Sequence, residues 1–239
     1  MKKQWCIPPL SDAAFVAAME DILDLYCLPY DEHYPVICMD EKPYQLLDDV
    51  LTPIPMTTGK AKRIDYEYKR MGTCSIFVFN QPLKGWTYAN APERRTAIDF
   101  AYEIKQQVHF KEMHLLTVHF PNAIKIRLVS DNLNTHVPAS LYKAFPAKEA
   151  RGLLRRLEFH YTPGAFRRNA LHGSWLNMAE ISISILARQC INKRIPDLNT
   201  LHHDISAWSI QQNNIPSPIN WQFTTCDART KLTRLYPLI

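Results

Sequence analysis

The stretch YPVICMDEKPYQLL (Tyr34–Leu47) carries four apolar residues, Val36-Ile37-Cys38-Met39, straight into Asp40-Glu41-Lys42-Pro43. A short continuous apolar run reads as a buried strand. A proline just beyond it reads as the end of that strand. Two explanations follow for the acids. They are the solvated end of a strand, or the strand is a platform that holds the Asp40 carboxylate at its tip. Pro43 is expected to turn the chain away and Glu41 to face solvent or a basic neighbour.

The pattern returns at IKIRLVSDN (Ile124–Asn132), where a β-branched run ends in Ser130-Asp131-Asn132. If the two strands are neighbours in one sheet, Asp40 and Asp131 share an edge, and open α/β sheets build sites at the carboxyl ends of their strands. A third acid, Glu180, lies in WLNMAEISISILARQCI (Trp175–Ile191), which reads as a long, mostly apolar helix. A glutamate is rarely buried unless it is paired or binds a metal. Three converging carboxylates with no histidine or cysteine cluster make a hard-oxygen site suited to Mg²⁺ or Mn²⁺. Two such ions support phosphodiester chemistry. Taken singly, Asp40 and Asp131 read as turn or cap residues, and Glu180 as a core acid paired with an arginine. Spacing alone leaves both readings open.

The remaining segments place these three acids in a fold. SDAAFVAAMEDILDLYCL (Ser11–Leu28) predicts a helix capped by Ser11, with Phe15, Met19, Ile22 and Tyr26 at helical spacing. MGTCSIFVFNQP (Met71–Pro82) predicts a second strand, and GWTYANA its hairpin partner. PERRTAIDFAYEIKQQV (Pro92–Val108) predicts a helix with proline in its first turn. SLYKAF and PAKEARGLLRRL predict two helices, LEFHYTP (Leu157–Pro163) a strand, and Leu198 to Gln211 a helix. Strands alternating with helices give an α/β class with a mixed sheet.

With 239 residues, 46% hydrophobic and 21% charged, the chain has material for a real core. No apolar run approaches the ~20 residues of a membrane span, and the N-terminus lacks a signal-peptide core. The expected location is therefore cytoplasmic, nucleoid-associated if DNA is the partner. The six cysteines form no C-x-x-C pair, which argues against a zinc site or a disulfide framework. The net charge of +5 is mild. Its clusters, at Lys60–Arg63, Lys69-Arg70, Arg94-Arg95, Arg151 with Arg155-Arg156, Arg167-Arg168 and Lys193-Arg194, suit a nucleic-acid surface, although each alone reads as a solvated face.

MDEKPYQLL around Asp40, SDNLNTH around Asp131 and HGSWLNMAEI around Glu180 together resemble the catalytic blocks of a bacterial insertion-sequence transposase of the DDE type, related to the Tc/mariner elements. The likeness extends through RIDYEYKRMGTCSIFVF, FHYTP, LARQCINKRIPD and WQFTTCDARTKL. It implies a ribonuclease-H-like fold, a mixed sheet flanked by helices. It implies one catalytic domain over residues 1–239, with a helical lead-in (1–33), the core (34–191) and a C-terminal helical tail (192–239). It implies Asp40, Asp131 and Glu180 as ligands of two Mg²⁺ or Mn²⁺ ions, cleavage at terminal inverted repeats and transfer of a 3′-hydroxyl to target DNA. Asn132, His136, Trp175 and Asn177 fall within the motif blocks as supporting residues, with Lys42 as a candidate phosphate contact. Trp175 reads equally as a core anchor, and His136 equally as a contact to a phosphate or the metal shell or as the cap of the following turn. Asn177, three residues before Glu180, is expected to share its helix face.

Three features depart from the family pattern. Nothing stands ahead of MKKQWCIPP to hold the family's helix-turn-helix, so recognition of element ends is expected to be missing or supplied by a separate chain. The segments near 109–119 and 164–171 look extended, the second forming a basic loop through Arg167 and Arg168. A homodimer on DNA is the assembly the resemblance implies. The competing readings are a ribonuclease-H-like nuclease and a truncated, non-catalytic DNA-binding regulator of transposition.

Overall fold

The structure, a computed structural model, describes residues 11–106, 120, 122–163 and 174–237. Its spine is β1 (Val36–Asp49). The strand does not stop at Asp40, and Pro43 does not turn it. It runs on as one side of an antiparallel ladder with β2 (Tyr68–Gln81), in which Asp40 faces Val78 and Pro43 faces Ser75. A proline is tolerated there because β1 has lost its other neighbour by that point, as at a sheet edge. On that side β4 (Ile126–Ser130) runs parallel to β1 only over Val36–Cys38, paired with Arg127–Val129. β3 (Trp86–Asn90) forms the expected hairpin with β2, and β5 (Leu157–Tyr161) lies parallel to β4. The mixed five-stranded sheet has the order β3-β2-β1-β4-β5.

Strand alternation divides β1 between two cores. Ile37 and Met39 join Phe77, Phe79, Leu128 and Phe100 on one face. That face is covered by α2 (Ala97–Gln106), α3 (Ala139–Ala144) and α4 (Ala147–Arg155). Val36 and Cys38 join Val129, Leu176 and the apolar stripe of α1 (Ala13–Tyr26) on the other. The same side continues as Ile76 and Val78 packed against α5 (Ala179–Gln189) and α6 (Leu198–Asn214). The short α7 (Thr225–Lys231) closes against α1. The free edge of β3 is covered by Asn213, whose carboxamide accepts from the Thr87 N–H and donates to the Thr87 carbonyl, both at 2.9 Å.

Helix starts differ from the sequence reading in instructive ways. Asp12, not Ser11, caps α1, accepting from the Ala14 and Phe15 N–H groups. Phe15, Met19, Ile22 and Tyr26 are all buried as expected. α2 starts after Thr96 rather than at Pro92, because Thr96 and Asp99 cap each other reciprocally. The long helix from Trp175 is two elements, a 3-10 turn at Ser174–Leu176 and then α5. The described cysteines are free thiols, and Cys38 and Cys74 are small core residues.

Beyond the sheet, β1 and β2 continue as a two-stranded arm. A register shift between Leu46 and Leu47, beside Gly72 at φ 129°, bends it. Arg194 fastens the far end of this ladder, donating to Asp49 Oδ1 at 2.7 Å and to the carbonyls of Asp65, Tyr66 and Glu67. Lys193 pairs with Asp204 at 2.7 Å. This basic pair, expected as part of a nucleic-acid surface, is bound within the fold. No helix among the described residues is long and apolar enough to cross a membrane.

Candidate active site

Asp40 and Asp131 each lie two residues beyond the last parallel pair, Cys38 with Val129. They therefore reach the same level on adjacent strands, where the β4 ladder has ended and the β1 ladder has not. Asp40 sits on the α1/α5 face by alternation. Its Oδ1 accepts from the Glu41 N–H at 2.8 Å, and its Oδ2 accepts from Asn177 Nδ2 at 3.2 Å. Burial pushes its pKa up to about 7. The Glu41 N–H works against this, the negative charges of Glu180 and Asp131 add to it, and the His136 charge opposes it. Glu180 and Asp131 are thus close enough to be felt at Asp40.

Asp131 is held from one side. His136 Nδ1 lies 2.5 Å from Asp131 Oδ1, and His136 Nε2 lies 3.0 Å from Glu41 Oε1. Carboxylate oxygens only accept, so an imidazole between two of them donates from both nitrogens. Burial works to lower the His136 pKa, but the bonds to Asp131 and Glu41 outweigh it and raise it to about 9. The Glu41 side chain is only 4% exposed and also faces Arg95 at 3.9 Å. Of the two expectations for Glu41, solvent or a basic neighbour, the basic neighbour is the one found.

Glu180 occupies the first turn of α5, where the helix dipole favours an anion. It is exposed rather than buried, so it does not need a core partner. Asn177 does not share its helix face, because α5 begins only at Ala179. Instead Asn177 is the joint between helix and strand. Its Oδ1 accepts from the Ala179 N–H at 3.1 Å and its Nδ2 donates to the Met39 carbonyl at 2.8 Å as well as to Asp40. Trp175 packs edge-on to Phe223 at 5.9 Å in the α1 core, with its indole N–H buried and unpartnered. That makes it a core anchor.

Lys42 is half-buried and, two residues on from Asp40, points to the same face. Asn132 is exposed. Arg167 and Arg168, with the segments near 109–119 and 164–171, lie outside the described residues. Sequence reasoning missed Glu41 and Arg95 as members of the site, as well as Tyr161, whose hydroxyl donates to the His136 carbonyl at 3.1 Å. The signal for Glu41 was present: the residue after Asp40 in a strand must point into the opposite core.

The donor set suits a hard divalent cation: three carboxylates, mutually repelling at Asp40, a repulsion that a cation relieves. The set is not drawn closed. Among the described residues no group of three or more His, Cys, Asp or Glu side chains is arranged to hold a metal ion.

Among solved structures, the Mos1 mariner paired-end complex with Mn is similar at a TM-score of 0.54 and 12% identity, over 88% of this chain and 59% of that one. The Mos1 strand transfer complex is similar at a TM-score of 0.48 and 13% identity, over 88% and 58%. This chain therefore spans under two-thirds of the length of either. The first likeness shows the fold, a ribonuclease-H-like sheet of the kind found in transposase catalytic domains. No individual curated protein matches the chain in sequence. The sequence pattern of DDE superfamily endonucleases matches residues 35–202, from the start of β1 into α6 and across Asp40, Asp131 and Glu180. With most of its length inside that match and all three acids in order, the chain belongs to the DDE superfamily endonucleases.

Proposed function

We propose that this chain is the catalytic core of a mariner-like DNA transposase that cuts at element ends and transfers a 3′-hydroxyl to target DNA. The observation that carries this reading is the levelling of Asp40 and Asp131 on adjacent strands, with Glu180 near enough to raise the Asp40 pKa. Asp40, Asp131 and Glu180 would hold Mg²⁺ or Mn²⁺, two ions in the full site. Such ions lower the pKa of an attacking water or 3′-hydroxyl and stabilise the leaving oxygen. The protein's own part is placement. Asn177 fixes the Asp40 carboxylate against α5, His136 fixes one oxygen of Asp131, and the dipole of α5 supports the charge of Glu180. The partner is DNA at element ends and at the target, with two copies of the chain bringing two ends together.

The test is cleavage of a labelled, pre-nicked inverted-repeat duplex with Mn²⁺, comparing the chain with Asp131→Ala. Cleavage and 3′-end joining that disappear in the variant support the reading. Hydrolysis without joining points to a nuclease instead. The open arrangement of the carboxylates favours a second reading, a DNA-binding regulator that does not cut. A folded chain that binds DNA and cuts nothing with any divalent cation supports that one and overturns the first.

A further inference from the structure

We propose that Glu41 is a positioning residue for Asp131, acting through His136 from the opposite face of the sheet. The inference rests on the reading of Asp131 as a cation ligand. Asp40 and Glu41 are consecutive residues of β1, so their side chains leave the strand on opposite sides. Met39, on the Glu41 side, packs with Phe77, Phe100 and Leu128, whereas Cys38, on the Asp40 side, packs with Val129 and Leu176. Glu41 therefore has no direct route to the face where Asp40 meets Glu180. The connection goes round the end of β4. That strand stops at Ser130, and the following turn brings His136 back beside β1.

His136 is seated for a single orientation. Its side chain is 1% exposed, its ring lies 4.9 Å from Phe100, its N–H donates to the Leu133 carbonyl and its carbonyl accepts from Tyr161. With Nε2 on Glu41 and Nδ1 on Asp131, the ring has no freedom to flip or tilt. Asp131 Oδ1 is engaged with the ring, which fixes the plane of the carboxylate and leaves Oδ2 outside that bond. A carboxylate held by an outer hydrogen bond is fixed in orientation, and loss of such outer partners weakens metal sites by about 10- to 100-fold. Arg95 beyond Glu41 faces the far end of the chain of groups at 3.9 Å.

A purely structural role for the same buried network would show in stability and not in metal response. The experiment is Mn²⁺ titration by calorimetry on the full chain, for wild type, Glu41→Ala, His136→Ala and the double variant, with thermal unfolding in parallel. The expected result is Mn²⁺ affinity weakened about tenfold or more by Glu41→Ala, with no further loss when the substitution is added to His136→Ala. Where the alanine variant fails to fold, Glu41→Gln is used, with the His136 ring-nitrogen resonances as a second readout. That variant keeps an acceptor for Nε2, so Mn²⁺ affinity close to wild type with both ring nitrogens still protonated is expected. Unchanged Mn²⁺ affinity in Glu41→Ala, an equal loss on both His136 backgrounds, or Glu41→Gln losing affinity with unchanged ring resonances overturns the proposal. If Asp131→Ala loses Mn²⁺ binding while Glu41→Ala does not, only the positioning role fails. If wild type binds no Mn²⁺, the cation reading fails and this inference with it.

Discussion

Asn177 donates to Asp40 Oδ2 at 3.2 Å and to the Met39 carbonyl at 2.8 Å, so one carboxamide joins the strand of the first acid to the helix of the third. It is 2% exposed, and Asn177→Ala leaves the Met39 carbonyl without this buried donor. The expected cost is about 1–3 kcal/mol of stability. Cleavage should fall further than the stability loss explains, because Asp40 and α5 lose their shared anchor. Urea unfolding alongside the Mn²⁺ cleavage assay separates the two effects.

Asp131→Ala and Glu180→Gln are each expected to lower metal-dependent cleavage by more than about a hundredfold, beyond the loss caused by residues that only support a ligand. The double variant should be little worse than either single one, since groups acting as a unit are not additive. Near-multiplicative rates in the double variant would show that the two acids do not serve one site.

Glu103 of α2 is fully buried and hydrogen-bonded to Asn90 Nδ2 at 2.7 Å. Burial raises its pKa to about 7, with Asn90 opposing and Asp99 adding to the rise. The folded state thus holds the proton more tightly than the unfolded chain. This contribution is complete below the unfolded value of about 4.5 and is lost as pH rises to about 7, a total on the order of 3 kcal/mol. Glu103→Gln should flatten stability across that window. Chemical unfolding at half-unit pH steps measures it, and an unchanged slope in the variant contradicts the assignment.

Gly85 closes the β2–β3 hairpin at φ 69°, and a Cβ there would lie 2.5 Å from the Ser217 backbone. The Ile219 N–H donates to the Pro82 carbonyl across the same contact. Gly85→Ala should cost at least about 2 kcal/mol, from the left-handed backbone and the clash together. Thermal unfolding reads this directly, and a neutral result would mean that the 217–219 segment does not rest on the hairpin.

The class, the mixed sheet and the three acids in order were legible from apolar runs and motif blocks. Strand and helix ends were not, because tertiary partners set them. Pro43 reads as a terminator in isolation, yet β1 passes through it, since β2 alone supplies the ladder there. Asn177 reads as helical by spacing, but its carboxamide is needed by the Ala179 N–H and by β1, and the helix starts after it. Glu180 reads as buried because its neighbours are apolar, but its place in the first turn turns it outward. Arg194 reads as a surface cation until the arm folds back to offer it Asp49 and three carbonyls.

The bend between Leu46 and Leu47 bears on what the gene can tolerate. Between Cys38 and Leu46 the pairing with β2 advances one for one, and a single inserted or deleted residue there would exchange the two faces of the strand and send Asp40 into the wrong core. Past the bend the pairing has already slipped by one position beside Gly72. Length variation in the arm can be absorbed at that irregularity without reaching the acid. The arm past the bend can change in length without moving the acid, while the nine residues from Cys38 to Leu46 are held to a fixed count.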